Sequence, residues 1–401
     1  MALLCLLLGG GQTVSPQVRV KISTHSGDAA RALQVLPDGD AYVAGLGRAW
    51  IARVNLATSE ERFRIHLGND ERDAVNALVL DREGNAYAGG VIFVNGKESG
   101  FTAVLHPDGA TREFKELPAS VAAIALNKDG DVYAGGDNFV VSGSGHIIAP
   151  PGTVRALAIS GALYAAGRTE GGVGYVARHS ESGDRWDPML SLGGNSEARA
   201  MAVGADGSIY VAGVTSSLDF AVRNAFQSRL DGPQDAFLAK LSPDGRGAVW
   251  ATYLGGRGAD SASAIAVDLH GDVLVVGSTT SPDFPMAGRW NGAQDGFWAR
   301  FNAMGRLLES AYVGTAGNDE VAAVALDRHG RVWTAGGYGW RFDTSHCTND
   351  ASGGNNRVAE GGVDGFADGT CQYAKSFGVW RAGYDDCDSD AHGRNGGSYV
   401  L

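Results

Sequence analysis

The sequence predicts an all-β molecule, a seven-bladed β-propeller of four-stranded antiparallel blades closed by its N-terminal strand. Three observations point there. One short unit recurs seven times, 60 of the 401 residues are glycine, about twice the usual share, and apolar residues alternate between turns as half-buried strands require. Charged residues make up 19% of the chain and hydrophobic ones 44%, which excludes extensive disorder and allows a large core. The net charge of −12 argues against a nucleic-acid binder or an anionic-membrane binder, because both need a cationic face.

Each unit opens with a hairpin, strands A and B. It reads ALQVLPDGDAYVAG at 32–45, ALVLDREGNAYAGG at 77–90, AIALNKDGDVYAGG at 123–136 and, shortened, ALAISGALYAAG at 156–167. AMAVGADGSIYVAG at 200–213, AIAVDLHGDVLVVG at 264–277 and AVALDRHGRVWTAG at 323–336 complete the series. The turn glycines Gly39, Gly84, Gly130, Gly161, Gly207, Gly271 and Gly330 each stand six residues before a closing glycine. Asp-Gly and His-Gly between alternating apolar runs are hairpin chemistry, since the turn needs positive φ. Gly39 and Gly330 are 291 residues apart over six intervals, about 48 each, the size of a four-stranded blade. Strand C follows as WIARV, FTAVL, YVARH, FLAKL and FWARF, and strand D as, for instance, AVWATYL at 248–254 before Gly255 and Gly256.

After the last hairpin the chain still needs strands C and D. VDGFA at 363–367 resembles the start of strand C, and VRVKIST at 18–24 sits as strand D sits before its Gly-Asp. The expected organisation is therefore a truncated signal segment at 1–15, a propeller over 16–370 whose last blade takes residues 18–24 as its outer strand, and an irregular cysteine-containing tail at 371–401. An independent module from 337 to 401 is the alternative. The apolar run from Ala2 to Leu8 is too short to span a bilayer and reads as the end of a secretory signal, which places the protein in the periplasm or outside the cell. A misassigned start is the competing reading. Cys347, Cys371 and Cys387 fit no zinc spacing and leave one thiol over from any single disulfide.

The stretch DSASAIAVDLHGDVLVVGSTTSPDFP at 260–285, followed by DGFWARF, resembles the bacterial SBBP repeat family, as do 206–220 and 235–256. The resemblance runs over about residues 20–340 and is strongest in units five and six. It implies a seven-bladed propeller and export, and it brings no catalytic motif.

If strand A starts at the top, A–B and C–D turns lie at the bottom, while B–C and D–A loops lie at the top. The long segments 215–234, 279–294 and 338–362 then stand on the top face, where function is expected. The bottom carries tight turns with little surface for a ligand. Just before strand A stand Asp28, Asp73, Glu197, Asp260, Asp319 and Glu320, acids from five units directed at the channel mouth. Two readings stay open. Carboxylates brought together suit calcium, with Asn69, Asn195 and Asn318 as further oxygen ligands; or each acid accepts N–H groups of its own loop and clasps the blades.

No GxSxG, HExxH, Walker A or helix-opening GxGxxG occurs. His25 and His346 are the top-face histidines and, with Glu197, the candidate bases. Tyr42, Tyr87, Tyr133, Tyr164, Tyr210 and Trp333 share one strand-B position and read as packing. The expected function is an exported, monomeric propeller that binds a small molecule or extracellular partner on its top face, with no nucleic acid and no membrane span. A calcium-dependent hydrolase of lactones or esters, of the gluconolactonase type in architecture, is the alternative. A lyase or glycosidase using Asp219 and Asp283 is a third.

Overall fold

The computed structural model describes residues 20–23, 29–180, 185–244, 247–285, 288, 290, 292–314, 318–339, 375–376 and 397–400. Every element assigned among them is a strand. The N-terminal strand β1 is Val20–Ser23. The first unit runs β2 Ala29–Val35, β3 Asp40–Leu46, β4 Trp50–Asn55 and β5 Glu61–His66; the second β6 Ala74–Leu80, β7 Ala86–Val94, β8 Lys97–Leu105 and β9 Thr111–Leu117. The third holds β10 Val121–Leu126, β11 Val132–Gly136, β12 Phe139–Ser142 and β13 Ile147–Ile148; the fourth β14 Gly152–Ile159, β15 Leu163–Thr169, β16 Val173–His179 and β17 Trp186–Gly194. The fifth holds β18 Ser196–Val203, β19 Ile209–Thr215, β20 Asp235–Leu241 and β21 Ala248–Leu254; the sixth β22 Asp260–Val267, β23 Val273–Thr279, β24 Asp295–Phe301 and β25 Leu307–Val313. The last has β26 Asp319–Leu326, β27 Val332–Gly339, β28 Lys375–Ser376 and β29 Gly397–Val400.

Within a unit the strands pair antiparallel in chain order. One bridge, Leu46 to Ala74, joins the first two units into a longer sheet. The last sheet runs β26, β27, β29, β1, so Val20–Ser23 lies outermost on Gly397–Val400. That partner strand belongs to the stretch read as an irregular tail, and it takes the place beside β27 that the sequence reading gave to 363–367. The latter, like Cys347, Cys371 and Cys387, lies outside the described residues.

The first strands touch in the order β2, β6, β10, β14, β18, β22, β26, and β26 returns to β2. Apolar clusters sit between consecutive units rather than within one. Tyr42 and Ile51 pack with Val75 and Phe101, Tyr210 and Trp250 with Val273 and Phe297, and Ala323, Trp333 and Ala335 of the last unit with Leu33 and Trp50 of the first. The strand-B aromatics are the pieces inserted into these seams: Tyr42 and Tyr210 are fully buried, and Trp333 is 1% exposed.

Two recurring glycines have separate causes. The turn glycines carry positive φ, from 67° at Gly161 to 92° at Gly39, as hairpin turns need. The closing glycines sit opposite a β-bulge in strand A, which pushes a carbonyl across the ladder. A Cβ on Gly45, Gly213 or Gly277 would lie 1.7, 2.0 or 1.9 Å from the carbonyl oxygen of Ala29, Glu197 or Ser261. Only glycine fits there.

The long B–C connections of the fifth and sixth units do not stand over the top face as expected, while 340–362 of the third long segment lie outside the described residues. In the fifth unit the chain runs down the outside of β21: Arg223 exchanges backbone hydrogen bonds with Ala251, and Tyr253 N–H donates to Gln227 O. Phe220 is driven into the core against Phe237 and Tyr253, with ring centroids 5.0 and 5.1 Å away, while Tyr253 Oη donates to Ser217 O at 2.6 Å. The sixth unit repeats the device with Phe284, 4.5 Å from Phe297, and Tyr312 Oη donating to Ser281 O at 2.7 Å. Burying a phenylalanine and covering an open strand edge outweigh leaving the loop in water.

Candidate functional site at the axial mouth

The bulge in each first strand decides what faces the axis. Its extra residue is Arg31, Asn76, Ala122, Arg155, Arg199, Ser263 or Ala322 in successive units, and the side chain of a bulged residue is re-aimed out of the ladder. Most of these side chains reach the next unit. Arg31 Nη1 donates to Asn76 Oδ1 at 2.6 Å, and Asn76 Nδ2 to Val121 O at 3.0 Å. Arg155 Nε donates to Glu197 Oε1 at 3.1 Å, Arg199 Nη1 to Ser261 Oγ at 2.6 Å, and Ser263 Oγ to Glu320 Oε1 at 3.0 Å. Arg199 Nε meets the other Glu197 oxygen at 3.1 Å, and Arg155 Nη1 lies 3.3 Å from Asp137.

The result is a belt of donors and acceptors around the end of the axis where the first strands begin. Burial pushes the Glu197 carboxyl upward, but Arg155 and Arg199 outweigh it and hold it below its usual range. Arg31 is reached by solvent yet surrounded by protein, and this desolvation lowers its pKa against the opposing Glu320 charge.

Strand alternation divides the sequence-predicted acids into two groups. Glu197 and Glu320 lie on the belt. Asp73, Asp260 and Asp319, one position earlier, turn to the other side and are 2%, 0% and 2% exposed. Asp73 accepts the N–H groups of Asn69 and Asp70 at 2.8 Å and of Phe93 at 2.7 Å. Asp260 accepts the Thr279 hydroxyl, the Ser281 hydroxyl at 2.8 Å and Gly256 N–H at 2.8 Å. Asp319 packs beside Asp295 across Gly314, where a Cβ would touch both carboxylates. The expected single cluster of six acids is therefore not formed among the described residues: the period of two separates neighbours in sequence onto opposite sides of the strand.

Asp73 and Asp260 act as loop clasps, both oxygens of each already accepting hydrogen bonds from nearby loop groups. Among the described residues no group of three or more histidine, cysteine, aspartate or glutamate side chains converges in ligand geometry. Asn69 serves through its N–H, Asn195 through its carbonyl, which accepts Ser216 N–H at 2.9 Å. Asp283 accepts Arg257 N–H at 3.0 Å, and Asp219 lies in the pinned connection of the fifth unit. His25, Asp28 and His346 lie outside the described residues. The belt arginines were missed in the sequence because the bulge position carries no fixed residue type; counting from each closing glycine's partner would have found it.

Clasp pairs also create a buried acid seam. Asp235 at the start of β20 accepts Gln227 Nε2 at 2.8 Å and Asp231 N–H at 3.1 Å, and a Cβ on Gly255 would fall between it and Asp260. Burial first, then the Asp260 charge, raise the Asp235 pKa to about 6 against these hydrogen bonds.

Residues 249–285 match the model of the SBBP β-propeller repeat. No curated protein sequence matches the chain. Among solved structures the chain is similar to U3-55K, with 11% identity and TM-score 0.56 over 81% of this chain and 94% of that one. It is also similar to virginiamycin B lyase from Staphylococcus aureus, with 13% identity and TM-score 0.52 over 78% and 93%. The RRP9 WD40 repeats give 11% identity and TM-score 0.54 over 79% and 92%. At such identities the likeness extends to the fold alone.

Proposed function

We propose that this β-propeller, which carries a repeat of the SBBP type, is a non-catalytic seven-bladed scaffold of four-stranded blades that binds a small molecule or a partner at its axial mouth. The supporting observation is the belt: six consecutive-unit contacts made by side chains from one repeat position, with Arg31, Arg155, Arg199 and Glu320 exposed and ready to exchange intramolecular hydrogen bonds for intermolecular ones. Donors and acceptors alternate, so the ligand is polar and carries both, as a polyhydroxylated or zwitterionic molecule does. The rigid ring pre-orders these groups, which lowers the entropy cost of binding.

Saturation-transfer NMR with a panel of sugars, amino acids and short peptides tests this. Binding that disappears in Arg199→Ala and Glu197→Gln but persists in a turn variant at the opposite end, Asp129→Ala, supports the site. Binding indifferent to Arg199 and Glu197 refutes it. The lactonase or esterase reading requires a metal held among Asp28, Asp73, Glu197, Asp260, Asp319 and Glu320. We expect EDTA followed by Ca²⁺ to leave the melting temperature unchanged, whereas a calcium-dependent rise with lactone turnover would overturn the non-catalytic reading.

A further inference from the structure

At the end of the ring opposite the belt, a hollow of about 520 Å³ opens between the first two units, lined by Asp38, Asp40, Arg53, Arg62, Phe63 and Asp108 among others. Its origin is visible by comparison with the seam between the fifth and sixth units. Register aligns Tyr42, Arg53 and Phe63 with Tyr210, Lys240 and Trp250. Both seams share a T-shaped aromatic pair, Tyr42 with Phe63 at 6.1 Å and Tyr210 with Trp250 at 6.2 Å. In both, the strand-D ring packs on the next unit's C–D turn glycine, Gly109 or Gly305. Trp250 fills its seam, and its Nε1 donates to Ala303 O at 3.1 Å. Tyr210 Oη donates to Gly271 O at 3.4 Å.

The smaller Phe63 leaves that space open. The carbonyl of Pro107, equivalent to that of Ala303, is taken instead by Arg53 Nη1 at 2.8 Å. The Tyr42 hydroxyl is fully buried, with the Arg53 guanidinium as its polar neighbour. It lies beside Arg53, Asp38 and Asp108, and its pKa is raised chiefly by burial, which the Arg53 charge opposes.

The charges around the hollow choose the ligand. Arg53 is consumed by Asp40 at 2.9 Å and Asp38 at 2.6 Å, and Arg62 by Glu60 at 2.7 Å. Asp108 remains at the rim, 67% exposed, with the His106 imidazole at 3.2 Å as its one side-chain partner among the described residues and Ala110 N–H donating to it at 2.9 Å. Phe63 and Pro107 supply apolar surface beside it. We infer that this hollow is a binding site for a small organic cation, an ammonium or amidinium on a compact apolar body. Its charge pairs with Asp108 and lies against the Phe63 ring, and its body takes the volume that Trp250 fills in the other seam.

Calorimetric titration of the full chain with benzylammonium, alongside benzoate as a shape-matched anion, tests the site. Benzylammonium is expected to bind with one-to-one stoichiometry and benzoate not to bind. Phe63→Trp restores the filled arrangement of the other seam, so it should abolish binding with an unchanged or higher melting temperature. Asp108→Asn, at an exposed position, should weaken binding about tenfold, the loss of one charge-assisted contact. Absence of binding, equal binding of benzoate, or undiminished binding by either variant overturns the proposal.

Discussion

At the residue scale the most informative group is Asp235, an acid whose environment favours its neutral form. A folded pKa of about 6 lies above the unfolded value of about 3.9, so the native state binds more protons between the two. This contribution to stability is therefore present below about pH 4 and is lost as pH rises through 6. Asp235→Asn should remove that slope and, at pH 7.5, stabilise the fold by about 3 kcal/mol. Chemical unfolding of both proteins at pH 4.5 and 7.5 checks this, and an identical pH dependence in the two would refute it. The carboxyls of Asp206 and Asp327 are held below their ordinary range and act in a lower window, with the opposite sign. The sequence marked Asp260 as unusual and passed over Asp235, because their proximity arises from two different units.

At the scale of single elements, the bulged strand A and the pinned B–C connection carry the architecture. Gly277→Ala would place a Cβ 1.9 Å from Ser261 O, and we expect about 3 kcal/mol of destabilisation, read by urea unfolding. Phe284, 3% exposed, anchors the connection of the sixth unit. Phe284→Ala should cost about 3–5 kcal/mol and make the segment after Ser281 susceptible to limited proteolysis; continued resistance would mean that backbone pairing alone holds it. The closing glycines were legible as a repeat, but their reason was not. Loop length likewise predicted exposed working loops, whereas Phe220 and Phe284 turn the same loops into edge covers.

For the whole molecule, the decisive contact is the one between the last and first units. Trp333 and Ala335 pack on Leu33 and Trp50, joining residues some 300 positions apart. Such contacts make every seam interdependent, so unfolding should be cooperative. Ala335→Glu buries an unpaired charge in that seam and is expected to lower the melting temperature by more than the same change at the exposed Leu269, 85% accessible. Differential scanning calorimetry of the two variants decides. Equal effects would mean that the first and last units are not energetically coupled.

The amino-acid sequence by itself determined the strand units, their hairpin turns and their repeat, because glycine conformation and alternating hydrophobicity act over a few residues. It also marked Asp73, Asp260 and Glu197 as special. Only the tertiary structure decided which of them share a surface: alternation along strand A sends the aspartates inward as clasps and leaves the glutamates to a belt completed by arginines from neighbouring units. The hollow beside Phe63 is likewise invisible in one repeat, since it exists only as the difference in volume between two seams, each built by side chains from separate units.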